Sequence, residues 1–168
     1  MRKAPALFVA VSLLSLIGCK KKEEAPPPEA KPAAPAAPAK TSPDLPLMDK
    51  MAFEAAHRTD AGLSVDDFFA ALDKAGLKVT DVKQHVAGVY GARYCSGGMT
   101  AGVHVDLCEF DSDKDAEGAK VATDKAFGSV PNLQHLSHKA SMLSVRPETV
   151  TPETEATVRK VTDTFNAQ

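Results

Sequence analysis

Residues 85–110 read HVAGVYGARYCSGGMTAGVHVDLCEF, and this stretch decides the fold. In its second half Val103, Val105 and Leu107 alternate with His104, Asp106 and Cys108. In its first half Val86, Tyr90, Ala92 and Tyr94 alternate with Arg93 and Cys95. A period of two belongs to a strand with one buried face. Two such runs, His85–Ser96 and Thr100–Phe110, joined around Gly97-Gly98, predict a β-hairpin. If Cys95 faces Cys108 across it, the paired positions have an odd total. Ala92 and Tyr94 then share a face with Val105 and Leu107, so the apolar pattern and the cysteines accept one register.

Working outward, the same periodicity argument places helices on both sides. Leu45–Arg58 carries Leu47, Met48, Met51, Ala52 and Ala55 at helical spacing. Leu63–Gly76 is a stronger helix. Ser64 and Asp67 form a capping-box-like start, Val65, Phe68, Phe69 and Leu72 form the stripe, and Gly76 stops it. Leu77–Lys83 is a short strand. Asp111–Phe127 reads as a helix with Ala116, Ala119, Thr123 and Ala126/Phe127 inward, ended by Gly128 and Pro131. Leu133–Arg146 reads as one last strand, bulged because its apolar residues change parity between Met142 and Leu143. Thr151-Pro152-Glu153 opens a final helix whose buried face is Val158, Val161 and Phe165. The order is α-α-β-β-β-α-β-α. It predicts an α+β domain over residues 45–168: a small antiparallel sheet of about four strands with helices packed on one face.

The chain has 168 residues, and this domain would occupy the last three quarters of it. It holds 18 Asp/Glu against 13 Lys/Arg, a net charge of −5. That balance excludes the basic face of a nucleic-acid binder and electrostatic docking on anionic lipid. With no Trp and two Tyr, large aromatic surfaces are scarce.

The first 44 residues are a different kind of sequence. Arg2 and Lys3 precede an apolar run, Ala6–Ile17, which ends in Leu16-Ile17-Gly18-Cys19. The run is shorter than the roughly 20 apolar residues a membrane span needs and suits a signal-peptide core. Leu16–Cys19 resembles the lipobox of bacterial lipoproteins. The resemblance implies a signal peptide over residues 1–18, cleavage after Gly18, a diacylglyceryl thioether on Cys19 and acylation of the new amine. Several acyl chains anchor stably where one is marginal. In that family Asp directly after the lipidated cysteine retains the protein at the inner membrane. Lys20 stands there, so the resemblance implies a bacterial envelope protein at the outer rather than the inner membrane. The competing reading is an uncleaved signal anchor.

Residues 19–44 continue CKKKEEAPPPEAKPAAPAAPAKTSPD, with no aliphatic side chain larger than Ala after Cys19. Such a segment buries too little to offset its ordering entropy and is read as a disordered tether. Its prolines bias it to polyproline II, with a reach of roughly 75 Å at about 3.1 Å per residue. The competing reading is a Pro-rich recognition segment.

Export puts Cys95 and Cys108 in an oxidising compartment, so the pair is read as a disulfide closing a loop of about 14 residues. The sharper alternative is a carrier for a metal or small ligand, with Cys95, His104 and Cys108 as the ligating face. No C-x-x-C motif supports it. Asp111, Asp113 and Asp115 begin like a calcium loop. Ala116 and Ala122 stand where that loop needs Gly and Glu, so the stretch is read as a helix start capped by Ser112. His135 and His138 point to opposite faces if they lie on a strand, and are read as surface residues. No nucleophile, base and orienter can be assembled into a catalytic set. The reading the sequence supports is a non-enzymatic, membrane-anchored binding or accessory module with an envelope protein partner and no cofactor. Its candidate contact face carries Arg93, His104 and Asp106, or else the exposed edges of the hairpin.

Overall fold

A computed structural model describes residues 44–168. The lipobox-like signal, Cys19 and all but the last residue of the tether lie outside the described residues. The elements are α1 (Leu47–Ala56), α2 (Val65–Lys74), β1 (Thr80–His85), a 3₁₀ turn (Ala87–Tyr90), β2 (Tyr94–Thr100), β3 (Val103–Glu109), α3 (Asp113–Phe127), β4 (Gln134–His138), β5 (Ser141–Pro147) and α4 (Pro152–Asn166). The strands form one antiparallel sheet in the order β1-β2-β3-β5-β4. The class is therefore α+β, with five strands rather than about four.

The extra strand comes from Leu133–Arg146. Lys139 and Ala140 both take positive φ, 45° and 53°, and fold the segment into the hairpin β4–β5. The change of apolar parity marks this two-residue turn, not a bulge. Leu136 pairs with Leu143 on one face, while Met142 points to the other.

That alternation also corrects the expectation of helices on one face only. Phe68 and Leu72 of α2 and Val158, Val161 and Phe165 of α4 pack with Val103, Val105, Leu107, Leu143 and Val145. Ala116 of α3 packs on the opposite face, with Cys95, Cys108, Phe110 and Met142. Met142 and Leu143 are adjacent and both fully buried, which only a sheet covered on both sides allows.

Helices α2 and α4 form as their sequences dictate. Ser64 accepts from the Asp67 N–H, and Gly76 (φ 78°) provides the left-handed stop. Thr151 and Thr154 make a reciprocal capping box ahead of α4. The two helices meet through Phe68 and Phe165, whose rings sit edge to face at 5.7 Å. Helix α1 departs from its apolar stripe. Leu47 and Met48 are exposed, and the buried residue is Glu54, whose carboxylate accepts the N–H groups of Ala87 and Gly88 at 2.9 and 3.0 Å. Helix α1 is thus fastened to the 3₁₀ turn by hydrogen bonds rather than by its methionines.

The hairpin β2–β3 keeps the expected register from Tyr94↔Glu109 to Thr100↔Val103, with Cys95 opposite Cys108. Its turn is Ala101-Gly102, with φ of 44° and 77°. Two parts of the sequence reading change. The segment before Tyr94 is the 3₁₀ turn, not strand, and Ala92 lies with the cysteines rather than with Val105 and Leu107. Gly97 and Gly98, expected as the loop, lie inside β2.

Candidate functional site

The two strand glycines leave room for other atoms. A Cβ on Gly98 would meet the Thr80 carbonyl oxygen of β1, and a Cβ on Gly97 would overlap the Asp106 carboxylate. Asp106 pairs with Gly97 across the sheet. Because Gly97 has no side chain, the carboxylate fits over its Cα and reaches His85 on β1, Oδ1 to Nε2 at 2.9 Å. The hydrogen bond that His85 donates to Asp106 raises the His85 pKa above its ordinary value; partial burial and Lys83 oppose the shift.

This pair sits on the half of the sheet face that α3 leaves open. Helix α3 crosses β4 and β5, and the 3₁₀ turn covers the end of the face near Phe110. Between them lies a cavity of about 220 Å³. Tyr90, Phe127 and Leu133 give it apolar walls, and Cys95 and Cys108 lie in its lining. His85 and Asp106 line one side, and His135 and Ser144 another. His135 is not a surface residue. Its side chain is only 4% exposed, and Nδ1 lies 2.8 Å from Asp124 Oδ1. Hydrogen bonds from Lys120 and then His135 hold the Asp124 carboxyl below its ordinary pKa. His138 takes the opposite face, as strand alternation requires, with its ring against Phe165.

The candidate residues separate. His104 and Asp106 line a second groove that adjoins the first through His85, and His104 lies 3.6 Å from Glu148. Arg93 shares the face but lies about 20 Å along β2 from Met99, the neighbour of His104, at about 3.3 Å per residue. Its guanidinium is bound to Asp111 at 2.6 Å, and that bond raises its pKa. Arg93 thus belongs to the far end of the face.

Cys95 and Cys108 form a disulfide, with Cα atoms 4.1 Å apart. Neither sulfur is then a thiolate ligand, and His104 lies about 13 Å along β3 from Cys108. Cys95, His104 and Cys108 are therefore not gathered as a ligand set. Among the described residues no group of three His, Cys, Asp or Glu could hold a metal ion. The Asp111–Asp115 stretch is a helix start: Ser112 accepts from the Asp115 N–H, and Asp113 accepts from the Ala140 N–H.

Sequence reasoning missed the most buried ion pair. Glu109 is 2% exposed and accepts from Arg58 Nε at 3.1 Å, Arg58 Nη2 at 2.5 Å and the Val65 N–H at 2.8 Å. Arg58 also stacks over the Tyr94 ring at 4.4 Å and bonds Asp66. The signal was present: Glu109 has the same strand parity as Val105 and Leu107, so its acid points at the core face and needs a partner.

Replacing Gly97 with Ala is expected to push Asp106 away from His85. The His85 pKa, followed by NMR, should fall back toward about 6.5, and overpacking should cost about 1–3 kcal/mol. The raised pKa also sets a sign. The stability contributed by the pair is complete below about 6.5 and is lost as pH rises through the raised value. An unchanged His85 titration in Gly97→Ala would contradict the role given to the glycine.

Among the described residues no helix is long and apolar enough to cross a membrane. Compared with protein-family models, curated proteins and solved structures, the chain matches none.

Proposed function

We propose that this chain is a lipid-anchored lipoprotein of a bacterial envelope, acylated at Cys19 and held at the outer rather than the inner membrane. Residues 19–44 act as its tether, and the α+β domain serves as a non-enzymatic binding or accessory module for an envelope protein partner. The anchoring rests on Leu16–Cys19, the length of Ala6–Ile17 and the abrupt polar turn at Lys20. The binding role rests on one observation above all: α3 covers only half of its sheet face. The open half presents His85, His104 and Asp106 in two adjoining grooves. A tether suits such a module, because it sets the effective concentration of the domain at the membrane without fixing its orientation. A second reading, a small-ligand carrier, is favoured by the walled cavity over the disulfide.

The anchoring is tested by fractionating cells that express Cys19→Ser. The wild-type chain should sediment with membranes and yield an acylated N-terminal peptide beginning at Cys19. The variant should lose the acyl mass and leave the membrane fraction after salt and carbonate washing, unless uncleaved residues 1–18 retain it. An unacylated wild-type peptide would sink the proposal.

A further inference from the structure

We infer that the cavity between α3 and the 3₁₀ turn is a binding site for a small organic ammonium whose flat apolar body ends in a second hydrogen-bond donor, of the hydroxyarylalkylamine kind. The inference rests on the reading of this face as the binding face and names the ligand that the face would take.

The floor of the cavity is one row across the sheet. Asp106 of β3 pairs with Ser144 of β5, and Ser144 pairs with His135 of β4. Directly paired residues share a face, and all three line the cavity. Asp106 and His135 stand two strand spacings apart, about 10 Å. At one end the Asp106 carboxylate lies over Gly97 and accepts from His85 through Oδ1. Its Oδ2 has no protein partner among the described residues. At the other end Nδ1 of His135 lies against the Asp124 carboxylate, which accepts. Nδ1 therefore carries the proton, and Nε2 of the neutral ring keeps its lone pair. Nε2 has no protein partner, yet no buried side-chain nitrogen or oxygen among the described residues lacks one. Nε2 thus reaches open space although the side chain is only 4% exposed, and the space that His135 lines is the cavity.

The two ends of the row set the charge and the donors of the ligand. No Lys or Arg lines the cavity, and its one carboxylate, Asp106, offers Oδ2 to a donor. A charge-assisted bond there is about twice as strong as a neutral one. An anion would meet that carboxylate at one end and a lone pair at the other. No group of three His, Cys, Asp or Glu among the described residues could hold a metal ion, which leaves an organic cation. The walls decide its body. Tyr90 and Phe127 come from separate elements, with Leu133 just before β4, and Phe127 ends α3 with 44% of its surface exposed. A flat apolar group between these side chains covers them without moving the core. It also covers Nε2 of His135, and a covered acceptor without a partner is costly, so the far end of the body needs a donor of its own. At about 220 Å³ the cavity is smaller than the pockets that enclose drug-sized molecules. One ring, with a two-carbon ammonium arm at one end and a hydroxyl at the other, meets both the size and the span.

The test compares four probes: tyramine, 2-phenylethylamine, which lacks the hydroxyl, 4-hydroxyphenylethanol, which lacks the charge, and 4-hydroxyphenylacetate, which reverses it. Each is titrated against the full lipidated chain in nanodiscs of zwitterionic lipid, with histidine and phenylalanine side chains isotopically labelled for NMR. A pH of about 8.5, above the ordinary histidine range, favours neutral rings. Tyramine should shift His135 and Phe127 together and saturate with one Kd. It should bind at least about tenfold more tightly than the alcohol and at least about threefold more tightly than 2-phenylethylamine, with the acid weakest. Asp106→Asn keeps the shape of an exposed side chain and should keep the dispersed spectrum of the fold. It should weaken tyramine at least about tenfold and remove the preference for amine over alcohol. An alcohol or acid that binds the wild type as tightly as tyramine would overturn the choice of an ammonium, as would an unchanged preference in Asp106→Asn. Equal affinity for tyramine and 2-phenylethylamine would overturn the donor at the far end. Absence of any shift below about 10 mM tyramine would overturn the site. A protein partner crosslinked through His104 would survive all of these results, so failure here is distinguishable from failure of the binding-face reading.

Discussion

Glu109→Ala is expected to lower the unfolding free energy by about 3 kcal/mol, at the lower end of the range for breaking a buried ion pair. The carboxylate is 2% exposed and accepts three hydrogen bonds, two from Arg58 and one from the Val65 N–H. Its loss leaves the first turn of α2 with an unsatisfied donor, in addition to the Arg58 charge. Arg58 is 27% exposed and keeps Asp66 at 2.6 Å, so part of the guanidinium can turn to water, which places the effect at the low end. Those same bonds, Glu109 first, raise the Arg58 pKa still further above its ordinary value, so Arg58 stays charged throughout. Glu109→Gln keeps the shape and one acceptor, and should cost about 1–2 kcal/mol. Urea denaturation measures both. A Glu109→Ala protein within about 0.5 kcal/mol of the wild type would match an ordinary surface substitution and contradict the account.

Replacing Cys95 and Cys108 with Ser is expected to cost about 3 kcal/mol, the loop-entropy value for cysteines this close in sequence. The two are separated by 13 residues and are 1% and 4% exposed. Each serine hydroxyl would sit among Ala87, Ala92, Phe110 and Met142, which adds a desolvation cost. In a domain of this length the combined effect should lower Tm by about 10 °C or more. Reductant added to the wild type should reproduce most of the shift. An unchanged Tm in both experiments would mean that the bond is not holding the hairpin.

Much of the fold could be read from the sequence, because the pattern there is local. The Val103–Leu107 alternation, the Val65–Leu72 stripe and the Thr151-Pro152 start each depend on neighbours within a few residues. Gly97-Gly98 misled for a physical reason. Glycine marks a turn when the backbone needs φ > 0, but here it makes space, and the atoms filling that space come from Asp106 and Thr80. The true turn, Ala101-Gly102, was the less conspicuous pair. Leu133–Arg146 hid a hairpin because its turn residues, Lys139 and Ala140, are not usual left-handed residues.

The site was less legible than the fold. His104 and Asp106 were placed on the correct face by parity alone. Arg93 was misjudged because parity gives the face but not the position along it. His135 was missed because its burial depends on Asp124 of α3, an element whose docking side only tertiary structure reveals. Met48 and Leu47 look like core in the sequence. They are exposed because α1 is held through Glu54 and through Gln84, whose side chain donates to the Met51 carbonyl.

The most direct test of the central claim uses site-specific photocrosslinking in intact envelopes. A photoreactive residue placed at His104 should give one discrete protein adduct, because His104 lies on the open half-face. The same residue at Lys160, on the outer side of α4, should give none. Equal adduct patterns from both positions, or no adduct from His104, would contradict a binding module that works through this face.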